Sequence, residues 1–296
     1  MIVITGPTAT GKSALAVNLA KELDTEIISA DSRQIYKGIP IVTAVPSEKE
    51  KDGIKHHLME ILPLDAYFSA SLFSEQAEKI SKEIFEKRDF VIVCGGSSMY
   101  IDALCNGIDD LPTVPEEIRD SLTRQWNERG DSWLVGQLYR LDPYYLMRVD
   151  PNNMKRIFHA VEISLTSGRP YSSFLTGKKR DLPFRVIKIA LNGSRESLFE
   201  RINLRVDRMV ENGLFKEVES VSHLKGLNSL NTVGVKEIFQ FFDGLLTFDE
   251  SIGRIKKNTR VYAKKQLTWL KKESELKWFD FSSPIEKNIN EIMSLI

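Results

Sequence analysis

Gly6-Pro7-Thr8-Ala9-Thr10-Gly11-Lys12-Ser13 fits the pattern GxxxxGK[ST] at every fixed position. It follows the apolar run Met1 to Ile4 and leads into Ala14-Leu15-Ala16-Val17-Asn18-Leu19-Ala20, whose apolar residues recur at helical spacing. Strand, tight loop and helix, in that order, are the surroundings a phosphate-binding loop requires. Glycines let the backbone approach phosphate oxygens, and amides at the start of the helix point at the anion. Lys12 adds a charge, and the Ser13 hydroxyl can hold Mg2+. Gly6, Pro7, Thr8, Ala9, Thr10, Gly11, Lys12 and Ser13 are therefore candidate diphosphate- or nucleotide-binding residues. The motif leaves open whether the diphosphate belongs to a nucleotide.

Working outward, 296 residues suit one large domain with an insertion, or two domains. With 41 basic and 41 acidic residues the chain has no global field toward nucleic acid or membrane, so such a partner must meet a local patch. Cys94 and Cys105, the only cysteines, lie in or near an apolar run and read as buried thiols, which fits a reducing cytoplasm. No run approaches the roughly 18 apolar residues of a membrane span, and the first residues do not resemble an export signal. A soluble monomer is expected.

Glu26 to Ala30 is a short β-branched run ending on Asp31. In an open α/β sheet ligands sit beyond the carboxyl ends of the strands, so Asp31 should share a crevice with the loop. It reads either as a catalytic carboxylate or as a cap for the next turn. His56-His57 lacks the spacing of a helical metal pair and reads as structural or substrate-lining. Ser69 to Lys87 is an amphipathic helix with Phe73, Ala77, Ile80 and Ile84 on one face. Phe90 to Cys94 reads as a buried parallel strand, ending on Gly95-Gly96-Ser97-Ser98. A nucleotide hydrolase normally closes such a strand with an aspartate for its magnesium. Glycines there count against hydrolysis.

Two prolines at Pro112 and Pro115 open a stretch that is helical, charged and aromatic until Phe184 to Leu191 reads as a strand again. The fold class is α/β: a P-loop NTPase-like parallel-sheet core (1–111 and 183–296) with a helical insertion domain (112–182) and a mainly helical C-terminal part. Lys155, Arg156, Arg169, Lys178, Lys179 and Arg180 give the insertion a positive side. Arg201, Arg205 and Arg208 fall at i, i+4 and i+7, three guanidiniums on one helix face suited to anionic oxygens unless Glu200 and Asp207 neutralise them. Arg254 to Lys272 carries eight basic residues and no acid, with Tyr262 and Trp269 interleaved. That local excess suits RNA, or a surface helix docked on an acidic patch.

With these stretches in hand, the sequence resembles the tRNA dimethylallyltransferases (isopentenyl-diphosphate transferases) along nearly its whole length. The motifs are GPTATGKS (6–13), ADSRQIYKG (30–38), HHL (56–58), CGGSSMYIDAL (94–104), RINLRVDRMVENGL (201–214), VGVKE (233–237) and TRVYAKKQLTWL (259–270). The resemblance implies that the loop holds the diphosphate of dimethylallyl diphosphate and that the acceptor is N6 of the adenosine beside the anticodon (A37) in tRNA. It casts Asp31 as general base, with Thr8, Lys12 and Arg205 completing the catalytic set, Arg201 on the diphosphate and Mg2+ on Ser13. Asp31, Ser32, Arg33, Gln34, Ser97, Arg119, Lys155, Arg156 and His159 match positions that contact tRNA, and the insertion would contact the anticodon stem. The adenosine would be flipped from its stack into a channel. Val45, Ser97, Ser98, Lys155, His159 and Val235 depart from the family's usual residues. The competing readings are a prenyltransferase acting on free adenine nucleotides, a small-molecule kinase using ATP at the same loop, and an RNA-binding module with a relic loop.

Overall fold

Ile2-Val3-Ile4 has no polar face, so it can be a strand only where both faces of a sheet are covered. In the computed structural model, which describes residues 1–177 and 180–296, that run is the strand β1 (Ile2–Thr5) of a six-stranded sheet. The others are β2 (Ile27–Ser29), β3 (His56–His57), β4 (Ile92–Cys94), β5 (Ile187–Asn192) and β6 (Lys277–Asp280). Their order is β3-β2-β4-β1-β5-β6, and every pairing is parallel. Ile2 lies opposite both Ile92 and Ile187. The chain winds one way through β4, β2 and β3 and the other way through β5 and β6, so a crevice opens at the carboxyl end of β1.

Period-two alternation divides the strand residues between two cores. Val3, Ile28 and Val93 pack with Phe73, Ala77 and Ile84 of the helix Ala70–Phe85 and with Ile101 and Leu104 of the helix Ser98–Asn106. Ile2, Ile4, Ile27, Ile92 and Ile189 pack with Leu15 and Leu19 of the helix Lys12–Glu22 and with Ile289 and Ile292 of the helix Ile285–Met293. Ser69 caps its helix by accepting the Leu72 N–H (3.2 Å). The edge strand β6 falls where the sequence reading expected mainly helix. Only Phe279 of its four residues is buried, so the strand carries too little apolar signal to be read.

The other edge is β3, where His57 Nε2 lies 2.5 Å from Glu26 Oε2 and His56 Nδ1 lies 2.9 Å from the Ile54 carbonyl. Both histidines are braces. Among the described residues no group of three or more His, Cys, Asp or Glu side chains is gathered to hold a metal. Burial pushes the Cys94 and Cys105 thiols up to about 11, and neither is in a disulfide. No helix among the described residues is long and apolar enough to cross a membrane.

The chain forms two compact units, residues 1–105 with 181–296, and residues 106–180. The second has its own core, in which Leu122, Leu134, Leu138, Ile157 and Val161 join the helices Glu116–Arg129, Asp131–Leu141 and Met154–Ser167. Its buried Asp142 accepts the Tyr145 and Ser172 N–H groups at 2.9 and 2.6 Å. Lys178 and Lys179, counted toward its positive side, lie outside the described residues.

Candidate active site

The Gly6–Ser13 loop leaves β1 and enters the helix Lys12–Glu22 through Gly11, whose φ of 87° is open to glycine at little cost. Gly6 is pressed against β5: a Cβ there would stand 2.6 Å from the Leu191 carbonyl oxygen. Ala9 also sits in the left-handed region (φ 66°), which costs a residue with a Cβ roughly 1–2 kcal/mol. Its carbonyl is held by Arg201 Nε at 2.9 Å. The Pro7 carbonyl accepts from Thr10 Oγ1 (2.9 Å) and from Lys12 Nζ (2.8 Å), so the ammonium is folded back over its own loop. Burial pulls the Lys12 pKa down to about 8; Arg205 also lowers it, while Cys94 and Asp31 oppose.

Two later segments hold this loop. From the helix Arg195–Glu211, Arg205 Nη1 donates to Thr8 Oγ1 (2.9 Å) one turn from Arg201, whose guanidinium also lies 4.9 Å from the Phe281 ring centroid. Burial lowers the Arg205 pKa, opposed by Asp31 and Glu50. The acids suspected of neutralising this face do not do so at Asp207, which pairs with Lys256 (2.6 Å). Arg208, the third guanidinium, makes neither loop contact and is exposed.

The second segment is the helix Phe248–Leu270. Its Gln266, 7% exposed, accepts the Thr8 N–H (3.0 Å) and donates to the Gly96 carbonyl (3.0 Å), latching the loop to the turn after β4. Nothing in the sequence singled out Gln266, a polar residue inside a polar helix. Much of the helix's basic charge is spent locally. Lys256 meets Asp207, Arg260 Nη1 donates to Asn203 Oδ1 (2.6 Å), and Arg260 and Lys264 lie over the Phe199 ring. Lys257, Lys265, Lys271 and Lys272 remain exposed.

Asp31 follows β2, and its Oδ1 accepts the Arg33 N–H (2.9 Å) and, more weakly, the Gln34 N–H (3.4 Å). The capping role weighed from the sequence is therefore real, and it leaves the second carboxylate oxygen for other work. Asp31, Thr8 and Arg205 line one cavity of about 320 Å³, together with the polar Ser32, Arg33, Thr259 and Tyr262 and the apolar Val42, Ile202, Val206, Met209, Leu214 and Ile255. Burial, then the Asp31 charge, raises the Tyr262 phenol to about 12.

Other predicted residues are engaged differently. Arg33 donates to the Asn228, Ser229 and Asn231 carbonyls, so its guanidinium pins the segment that walls the cavity. Gln34 spends its amide on the Thr43 and Ala44 carbonyls and on Ser29 Oγ. The Ser97 N–H donates to the Ala30 carbonyl (3.1 Å), beside Asp31. Ser98 begins a helix, Val45 N–H closes a turn on the Pro40 carbonyl (2.9 Å), and Val235 is fully buried.

In the unit 106–180, Arg119 grips Glu162 with Nε and Nη2 (2.9 and 3.2 Å), and His159 Nδ1 lies 2.9 Å from the same carboxylate. Burial pushes Glu162 up, but the His159 and Arg119 hydrogen bonds outweigh it and hold the group below the usual range. Lys155 is exposed one turn before His159 on the same helix face, with Arg156 beside it.

A parallel sheet with a phosphate loop on its central strand, two arginines reaching back to that loop and a carboxylate in the same partly apolar cavity define a P-loop-like protein built to hold an anionic group next to an apolar one. The sequence pattern of the family described as IPP transferase matches residues 34–273. The chain is 46% identical over 279 residues to tRNA dimethylallyltransferase 2 of Parabacteroides distasonis, covering 94% of this chain and 93% of that one. It is 44% identical to tRNA dimethylallyltransferase 1 of Bacteroides thetaiotaomicron, with 94% and 91% covered. Among solved structures it is similar to the tRNA isopentenylpyrophosphate transferase of Bacillus halodurans (TM-score 0.72, 34% identity, 99% of this chain and 94% of that one). It is also similar to a eukaryotic dimethylallyltransferase acting on tRNA (TM-score 0.85, 25% identity, 100% and 79%). The chain belongs to the IPP transferase family.

Proposed function

We propose that this protein transfers the dimethylallyl group of dimethylallyl diphosphate to N6 of the adenosine adjacent to the anticodon (A37) in tRNA. The bond from the allylic carbon to the diphosphate oxygen breaks, the N6–C bond forms, and N6 loses a proton. The observation that carries the reading is one cavity lined by Thr8 and Arg205 of the anion cradle, by Asp31 and by apolar side chains such as Val42, Ile202 and Met209. An allylic diphosphate ionises readily once its leaving oxygens are neutralised, a role for the loop amides, Lys12, Arg201 and Arg205. Because an adenine amine has its lone pair delocalised into the ring, a carboxylate that takes its proton as the new bond forms lowers the barrier. Asp31 is that acceptor: one oxygen is held by the Arg33 N–H, which aims the other.

The Ser13 hydroxyl is exposed on the first turn of its helix and offers one oxygen ligand, with no carboxylate cage beside it among the described residues. That donor set fits Mg2+, which keeps several waters and takes the rest of its shell from substrate phosphates. When bound, the ion neutralises charge on the leaving group. Arg119, Lys155, Arg156 and His159 are proposed to contact the anticodon stem, and Asp31 to Gln34 with Ser97 the nucleotides at the cavity. The kinase and free-nucleotide readings are set aside, because the family is one of prenyl transferases and the relatives' names specify tRNA.

The test is purified protein with labelled dimethylallyl diphosphate and tRNA bearing adenosine at position 37. Label is expected on N6 of that adenosine, and none when it is replaced by guanosine. Turnover of ATP with no label on RNA defeats the reading.

A further inference from the structure

Around Tyr100, whose phenol feels the charges of both Asp31 and Tyr67, the protein leaves two large side chains in water: Tyr67 is 74% exposed and Met99 70%. Each is the chain neighbour of one member of a packed pair, since the Phe68 and Tyr100 rings meet edge-on at 6.1 Å and Tyr100 stacks on Phe73 at 4.5 Å. Tyr67 and Met99 therefore flank the same contact. Their backbones are firmly tied. The Ala66 carbonyl accepts from Tyr36 Oη (3.3 Å) and the Leu64 carbonyl from Ser229 Oγ (2.5 Å), within the segment that Arg33 holds against the cavity. On the other side, Ser97 is bonded to Ala30 and so brings the first turn of the helix Ser98–Asn106, with Met99, next to Asp31. A flat phenol and a polarisable thioether stand exposed, one near the segment that Arg33 holds and the other on a helix tied to Ala30.

We propose that Tyr67 and Met99 form a ledge on which unpaired nucleobases flanking the target adenosine stack. The ledge rests on the reading of the reaction given above and adds to it a surface for the neighbouring nucleotides. An adenosine drawn out of a stacked loop leaves each neighbour with one bare face. Single-stranded RNA is held through such faces by aromatic side chains, and the adaptable sulfur of methionine fits the edge of a ring. A protein partner would also cover exposed apolar groups. The hydrogen bond that ties the Met99 helix to Ala30, the residue before the carboxylate that a nucleobase must reach, favours RNA.

The experiment uses the full chain and an anticodon stem-loop RNA, with 2-aminopurine replacing a nucleotide next to the target adenosine. Tyr67→Leu is expected to weaken stem-loop binding roughly 5- to 100-fold, the range for removal of one base stack. It should also abolish the quenching of 2-aminopurine on binding, while pyrophosphate affinity and the rate at saturating RNA stay at the wild-type level. Tyr67→Trp should restore both binding and quenching; Met99→Ser should show a smaller loss of the same kind. Wild-type binding and quenching by Tyr67→Leu overturn the ledge and leave the transfer reaction standing. Wild-type protein that binds no stem-loop overturns both.

Discussion

At the scale of the residue, Asp31 combines two jobs that one substitution can separate. Asparagine keeps an oxygen to accept the Arg33 N–H but cannot take a proton. Asp31→Asn is expected to retain its melting temperature and its pyrophosphate affinity within a few-fold, while the rate of prenyl transfer falls roughly 10²- to 10⁴-fold. An undiminished rate would remove Asp31 as the base. Lys12 carries a pH prediction. Its folded pKa of about 8 lies below the ordinary 10.5, mainly through burial, so the folded protein gives up this proton before the unfolded chain does. Charged Lys12 thus costs stability below about pH 8, and the cost is relieved as pH rises from there toward 10.5. Donor binding has the opposite sign, because the diphosphate needs the ammonium. Calorimetric affinity for the donor should fall above about pH 8, approaching tenfold per pH unit, and Lys12→Arg should flatten the fall. At this scale the glycine loop and Asp31 were legible because their chemistry restricts residue type and spacing. The carbonyl contacts of Arg33 and Gln34 were not, since sequence gives no sign of which backbone groups a side chain will brace.

At the scale of the element, what the sequence hid is how elements meet at the strand ends. Gly95 closes β4 so tightly on β2 that a Cβ would stand 2.1 Å from the Ala30 carbonyl oxygen, which is backbone and cannot step aside. Gly95→Ala should cost about 3 kcal/mol or more, read as a lower urea midpoint. The Gln266 latch joins three elements through two hydrogen bonds. Gln266→Leu leaves the Thr8 N–H and the Gly96 carbonyl without their partner, at about 2 kcal/mol, or a melting temperature lower by roughly 4–8 °C. It should weaken pyrophosphate binding as well; lowered stability with intact binding would show that the latch holds the fold but not the cradle. Periodicity revealed the helix Ala70–Phe85, the spacing of three arginines fell on one face of the helix Arg195–Glu211, and the inner strands were recognisable as continuous apolar runs. It missed β6, where neighbours supply the burial that the strand's own residues lack.

At the scale of the whole molecule, a net charge of zero hides how the charge is distributed. Lys155 and Arg156 are exposed, whereas Lys256, Arg260 and Lys264 are occupied by the helix Arg195–Glu211 or its Phe199. Replacing Lys155 and Arg156 together by alanine should weaken tRNA binding and reduce the slope of log affinity against log salt by roughly 2, about one for each phosphate that is no longer neutralised. An unchanged slope would mean that neither residue touches the RNA backbone. The composition shift near Pro112 suggested a helical insertion, and the separate core of that unit became visible only in the structure. Which of its basic side chains were free to meet RNA depended on a carboxylate, Glu162, that sequence alone gives no reason to pair with Arg119.

The anion cradle is assembled from the far ends of the chain: Thr8 meets Arg205 across 197 positions and Gln266 across 258. At a translation speed of about 5–20 residues per second, a nascent Thr8 waits on the order of 13–50 s for its latch. Throughout that interval the growing polypeptide has a glycine turn without its latch, although the two arginines arrive earlier. A ribosome arrested before the helix Phe248–Leu270 should therefore display a product that captures pyrophosphate more weakly than one arrested well beyond it.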